Sequence, residues 1–166
     1  IPNPSVSYSS PNASGNLSFT PVANANGNAT ITVTVNDGQA LNNTVSQSFL
    51  VTVIPVNDAP TLNVLGNLNT AENATQQTVS LAGISPGAAN ETQVVTITAS
   101  SSGTAIVPNP TVSYTSANAT GTLSFTPVAS ANGTATITVT VNDGQAVNNT
   151  TTRTFAVNVS AVNNAP

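Results

Sequence analysis

An all-β fold of short antiparallel strands, set in tandem, is predicted by three observations. Apolar and polar residues alternate with period two in stretches bounded by Asn, Gly and Pro. No stretch carries the period of an amphipathic helix. Ile1 to Pro60 aligns without a gap onto Val107 to Pro166, offset by 106, with 42 of 60 positions identical and the run ITVTVNDGQA shared at 31 to 40 and 137 to 146. A period of that size is one β-domain per repeat.

In chain order, Val6 with Tyr8 and Leu17 with Phe19 place the first two strands on one core side. Ala29 to Val35 and the segment of Phe49, Val51 and Val53 give two more. Leu62 to Leu65, with the segment around Ala71, reads as a broken first strand of the next repeat, followed by Thr78 to Leu81 and Val94 to Ala99. The earlier four then recur, as Val112 with Tyr114, Leu123 with Phe125, Ala135 to Val141, and Phe155, Val157 and Val159. The clearest has Ala135, Ile137, Val139 and Val141 on one face and Thr134, Thr136, Thr138 and Thr140 on the other, the pattern of a half-buried strand. About seven such strands per repeat, with turn signals at Asn132-Gly133 and Asp143-Gly144, fit an immunoglobulin-like sandwich. With no Cys and no Trp it is not an antibody-type domain.

Each repeat ends in PVNDAP (55 to 60) or AVNNAP (161 to 166), where a strand gives way to a short linker stiffened by Pro60 or Pro166. In that frame 61–166 is one complete sandwich and 1–60 is the C-terminal half of another. A half-sandwich exposes an open core and unpaired edges, so a neighbouring chain or repeat is expected to supply the missing strands.

Composition narrows the function. Charged residues are 4% of the chain, so solubility rests on Asn, Thr and Ser. Arg153 is the one basic residue, which removes the phosphate-neutralising chemistry of nucleic-acid binding. A net charge of −4 argues against docking on an anionic membrane, and the apolar runs are strand-sized, so no membrane insertion is expected. Without Cys no disulfide staples the fold, and without Lys no lysine-to-asparagine isopeptide crosslink forms. Tyr8, Phe19, Phe49, Tyr114, Phe125 and Phe155 fall three per repeat at matching positions, as structural anchors do.

The segment ITVTVNDGQALNNTVSQSFLVTVIPVNDAP, together with TAENATQQTVSL at 70 to 81, resembles the cadherin-like repeats of large bacterial surface proteins. In that family a strand ends in a D-G turn, the next runs into an N-D-x-P linker, and an E-N pair precedes the second strand. The resemblance implies an extracellular, tandemly repeated sandwich used as a stalk, adhesin or filament, often with calcium in its linkers. It would make Asn57 and Asp58 linker ligands, bring Asp143 back from the following domain, and set Glu72 at the next linker, at Asn163 and Asn164. Calcium takes six to eight oxygens with several carboxylates, and this chain holds five acids in all. GISPG at 83 to 87 and TPVASANG stand where the family carries acid-rich motifs, and Asn164 replaces Asp58 in the second linker. The alternative for Asp37 and Asp143 is that they cap turns through their own backbones. Glu91 has no partner legible in the sequence.

With no His and no Cys, the usual nucleophile and base pairs cannot be assembled, and Asp58, Glu72, Glu91 and Asp143 lie in linkers, loops or turns at different ends of the fold, so no enzyme is expected. The expected function is a structural repeat of the cell exterior, a stalk or filament whose partners are copies of itself or adjacent repeats. Low charge favours close packing. The alternative is an adhesin repeat in which rows of Thr at 30, 32, 34 and at 134, 136, 138, 140 recognise a glycan, a surface or ice. The bland reading of those rows is a solvated strand face. Asn-x-Ser/Thr sequons, among them Asn73, Asn90, Asn118, Asn132 and Asn158, would carry glycans only in an organism that modifies Asn.

Overall fold

Period-two alternation becomes strand wherever it is long enough to put one face against a partner. The computed structural model describes residues 1–163, all β in architecture, so Asn164 and Pro166 lie outside the described residues. The chain folds as two compact units, Ile1–Val56 and Asn57–Pro166.

The second unit is an immunoglobulin-like sandwich of two sheets. One is four-stranded, in the order β5 (Leu68–Ala71), β11 (Thr150–Ser160), β10 (Gly133–Asn142), β7 (Thr96–Ser101). The other is three-stranded, in the order β6 (Gln77–Ala82), β9 (Thr120–Phe125), β8 (Thr111–Ser113). Only β5 on β11 is parallel; β10 is antiparallel to both its neighbours, and β9 to both of its own. The seven expected strands are present. Gly144 turns β10 towards β11 with φ +78, a conformation that favours glycine, and its twin Gly38 has the same angle.

Alternate residues of β10 and β11 face inward, and Ile137, Val139, Val141 and Val157 are fully buried with Leu81 and Leu123 of the facing sheet. Each such side chain contributes about 1.5–3 kcal/mol on leaving water. Val112 and Tyr114 pack on this core while remaining partly exposed.

One element differs from expectation. Leu62 to Leu65 is not a strand: Leu62 and Leu65 are both buried, three positions apart, which a period of two cannot satisfy. Thr61 instead bridges to Ser85 beside β6, and the chain then crosses to the other sheet, where β5 joins β11. Leu62 and Leu65 join the core while the segment changes sheets.

The first unit is two antiparallel ribbons, β1 (Ser5–Ser7) with β2 (Asn16–Ser18) and β3 (Gly27–Asn36) with β4 (Thr44–Val53). These are the twins of β8 to β11 in the same register. The unit holds no counterparts of β5, β6 and β7, and Phe49 is 45% exposed where Phe155 is 2%, and Val35 60% where Val141 is fully buried.

Candidate functional site

Two features of the chain have the character of sites. The first is the open face of Ile1–Val56. Between the β1–β2 and β3–β4 ribbons runs an apolar groove of about 570 Å³, lined by Val6, Tyr8, Leu17, Ile31, Val33 and Val35 among others. The same residue types in the second unit form its closed core. Of this set Ile31 alone is buried, and β2, β3 and β4 each pair with one neighbour.

The second is the polar cluster that holds Asn57 to Pro60 against the rest of the second unit. The Asn57 amide donates to Asp143 Oδ2 at 2.9 Å and to the carbonyls of Val147 and Asn148 at 3.0 and 3.4 Å. Its Oδ1 accepts from Gln93 Nε2 at 3.1 Å, and its backbone carbonyl accepts from Asn148 Nδ2 at 3.1 Å. Asp143, 3% exposed, uses its other oxygen to cap the turn, accepting the Gln145 N–H at 2.9 Å. Asp58 enters through its backbone, donating N–H to Glu91 Oε1 at 2.7 Å, while Glu91 Oε2 accepts the Ala88 N–H at 3.2 Å. The Thr151 hydroxyl donates to the carbonyl of Pro60, itself fully buried. At Gly87, φ +151, a Cβ would fall 2.7 Å from the Asp58 carbonyl and overlap the Glu91 carboxylate, so the close approach requires glycine.

Of the residues picked out for calcium, Asn57 and Asp143 are therefore in contact, and Asp58 is held beside Glu91. The Asn57 amide nitrogen stands among Asp143 Oδ2, Val147 O and Asn148 O, the position a cation would need, and the carboxylate oxygens of Asp143 and Glu91 are taken by N–H donors. Among the described residues no group of three or more His, Cys, Asp or Glu could hold a metal ion. This donor set does not fit the six to eight oxygens of a calcium site. Glu91 and Gln93 were not legible from spacing, because 33 and 36 residues separate them from their partners at Asp58 and Asn57.

At the other end of the unit, buried Glu72 accepts the Val162 N–H at 3.0 Å and the Asn132 amide at 3.4 Å, and donates its own N–H to Ser160 O at 2.8 Å. Asn163 is exposed. In the first unit Asp37 caps its turn, accepting the Gln39 N–H at 3.0 Å. Arg153 donates to the Leu62 carbonyl at 3.0 Å, so the single base is spent on the sheet-changing segment. Among the sequon asparagines, Asn73, Asn132 and Asn158 have side chains engaged in hydrogen bonds.

The threonine rows lie in register. Thr138 stands between Thr154 and Ser100, and Thr140 between Thr152 and Thr98. In the first unit the Thr32 and Thr34 hydroxyls bond those of Ser48 and Ser46 at 2.8 Å each. Ala156 and Leu50 interrupt the rows.

Fold and sequence together define an immunoglobulin-like sandwich repeat. A family model described as a cadherin-like domain matches residues 6–52, nearly the whole span of β1 to β4, so this segment is similar to that family. Among solved structures it is similar to domains 4 and 5 of the S-layer protein SbsC, at 22% identity, with a TM-score of 0.45, over 89% of this chain and 62% of that one. It is also similar to titin domains Z1Z2 solved in complex with telethonin, at 20% identity, TM-score 0.45, over 64% and 50% of the two chains. A third likeness is to the endo-fucoidan hydrolase MfFcnA4 of glycoside hydrolase family 107, at 24% identity, TM-score 0.45, over 89% and 20%. The chain spans less than two thirds of each of these chains, and likenesses at such scores carry no functional argument. No curated protein sequence matches. No helix among the described residues is long and apolar enough to cross a membrane.

Proposed function

We propose that the chain is a non-enzymatic structural repeat of the cell exterior, forming a stalk or filament by tandem or inter-subunit assembly of β-sandwiches. The observation that carries this is the 106-residue sequence repeat, which gives both units the same strand pairs in the same register, as tandem arrays do. In this reading 1–60 is the C-terminal half of one sandwich and 61–166 a complete one. Load is borne by the backbone ladders, above all the ten-residue pairing of β10 with β11. In this reading the hydrogen bonds of Asn57 and of the Asp58 N–H hold the segment to the second unit, and assembly does not depend on calcium. Electron microscopy of the native material with and without a chelator tests this. Long fibres that survive chelation are expected; single threads that collapse without calcium would instead assign Asn57, Asp58 and Asp143 to calcium.

A second reading, an adhesin repeat that binds a glycan, a surface or ice, is favoured by the shared register of the Thr rows. Its test is separate. The structural reading expects no ice shaping and no retention on glycans by the chain; crystal shaping or retention that disappears in Thr136→Lys would establish the binding reading.

A further inference from the structure

Around Asn57 the second unit gathers more acceptors than donors. Asp143 Oδ2, Val147 O and Asn148 O converge on one point, and the Asn57 amide nitrogen occupies it at 2.9, 3.0 and 3.4 Å. Two N–H bonds therefore serve three oxygens, one of them on a carboxylate that is 3% exposed. No cationic side chain answers that charge, because Arg153 is the one basic residue and it bonds the Leu62 carbonyl.

The amide is fixed in this sense from its other end. Asn57 Oδ1 accepts from Gln93 Nε2 at 3.1 Å, and the Asn57 carbonyl accepts from Asn148 Nδ2 at 3.1 Å. A half-turn of the Asn57 amide would set its oxygen against three acceptors and its nitrogen against the Gln93 nitrogen, so both ends oppose the turn. Holding Gln93 this way round has a cost: its Oε1 is buried with no hydrogen-bond partner among the described residues. The cluster tolerates an orphaned amide oxygen and keeps a nitrogen at the three acceptors.

We propose that Asn57 is a built-in substitute for a cation: its carboxamide N–H groups supply the positive end that this acceptor cluster requires, and the residue type at position 57 decides whether the clamp on the entry segment works without metal. The basis is the donor set that does not fit calcium. All of these groups belong to the second unit, so the inference does not depend on how the chain assembles. Asn57→Asp keeps the shape and replaces the donor by an oxygen. Two carboxylates and two carbonyls then face one another with no N–H between them, an arrangement that repels itself and that a bound cation stabilises. Asn57→Ala removes the amide and offers no oxygen in its place.

The test follows amide exchange of the full chain at Asp58, Asp143 and Gln145, whose N–H groups bond Glu91, Asn149 and Asp143, in calcium and in chelator. The unsubstituted chain should exchange at one rate in both. Asn57→Asp should exchange about tenfold faster in chelator, the scale of a lost hydrogen bond to a charged group, and slow again in calcium. Asn57→Ala should be fast in both. Calcium that slows exchange in the unsubstituted chain would overturn the proposal by making a cation the native occupant. Asn57→Asp at the unsubstituted rate in chelator would overturn it by making the N–H groups dispensable, and Asn57→Asp without recovery in calcium would show that their place is not a cation's. Recovery of Asn57→Ala in calcium would overturn it by placing the ion elsewhere. Should Asn57→Asp unfold in chelator, protection of β10 on adding calcium gives the same readout. Calcium-insensitive exchange without fibres would sink the filament reading alone, and fibres with calcium-sensitive exchange in the unsubstituted chain would sink this inference alone.

Discussion

Phe155→Ala is expected to destabilise the second unit by about 3–5 kcal/mol, the cost of a phenyl-sized cavity in a closed core. Its twin Phe49→Ala, with 45% of the side chain already exposed, should cost less, about 1–2 kcal/mol. Local sequence is shared around both: Phe49 lies opposite Ile31 as Phe155 lies opposite Ile137. What differs is the set of flanking strands β5, β6 and β7, which have no counterpart in the first unit; Phe155 is 2% exposed and Phe49 45%. Urea denaturation of the full chain, read by amide exchange in β10 and in β3, separates the two effects. Equal losses would mean that the face of Ile1–Val56 is covered in solution.

The turn aspartates should diverge for the same reason. Asp143→Ala removes a buried carboxylate that accepts from the Gln145 backbone and the Asn57 amide, and about 2–3 kcal/mol should be lost, since both are hydrogen bonds to a charged group in a dry site. Asp37→Ala removes only an exposed turn cap on Gln39 and should cost about 0.5 kcal/mol or less. Asp143→Asn keeps the volume and one acceptor oxygen, so its loss should be the smaller of the two at that position. Unfolding midpoints of the three variants under one set of conditions check the order, and identical losses at positions 37 and 143 would remove the clamp from the account.

The repeat, the strands and their inward faces were legible in the residues because each depends on neighbours two positions apart. Ala135 to Val141 could place its apolar side chains on one face in no other way. The D-G turns were equally local, since Gly38 and Gly144 need only their own backbone freedom. The exception among the elements, Leu62 to Leu65, failed because its two leucines enter the core three positions apart while the chain changes sheets, which no pleat allows. At the linker, the sequence named Asn57, Asp58 and Asp143 through a resemblance, but it could not bring Glu91 to Asp58, Gln93 to Asn57, or the carbonyls of Val147 and Asn148 around an amide nitrogen. Those groups meet across separations of 33 to 91 residues. The sequence by itself determined which side chains each strand turns inward, because that is settled by local periodicity. Only the tertiary structure decided how Thr61 to Ile106 closes the second unit, because β5, β6 and β7 join β11, β9 and β10 across long separations in the chain.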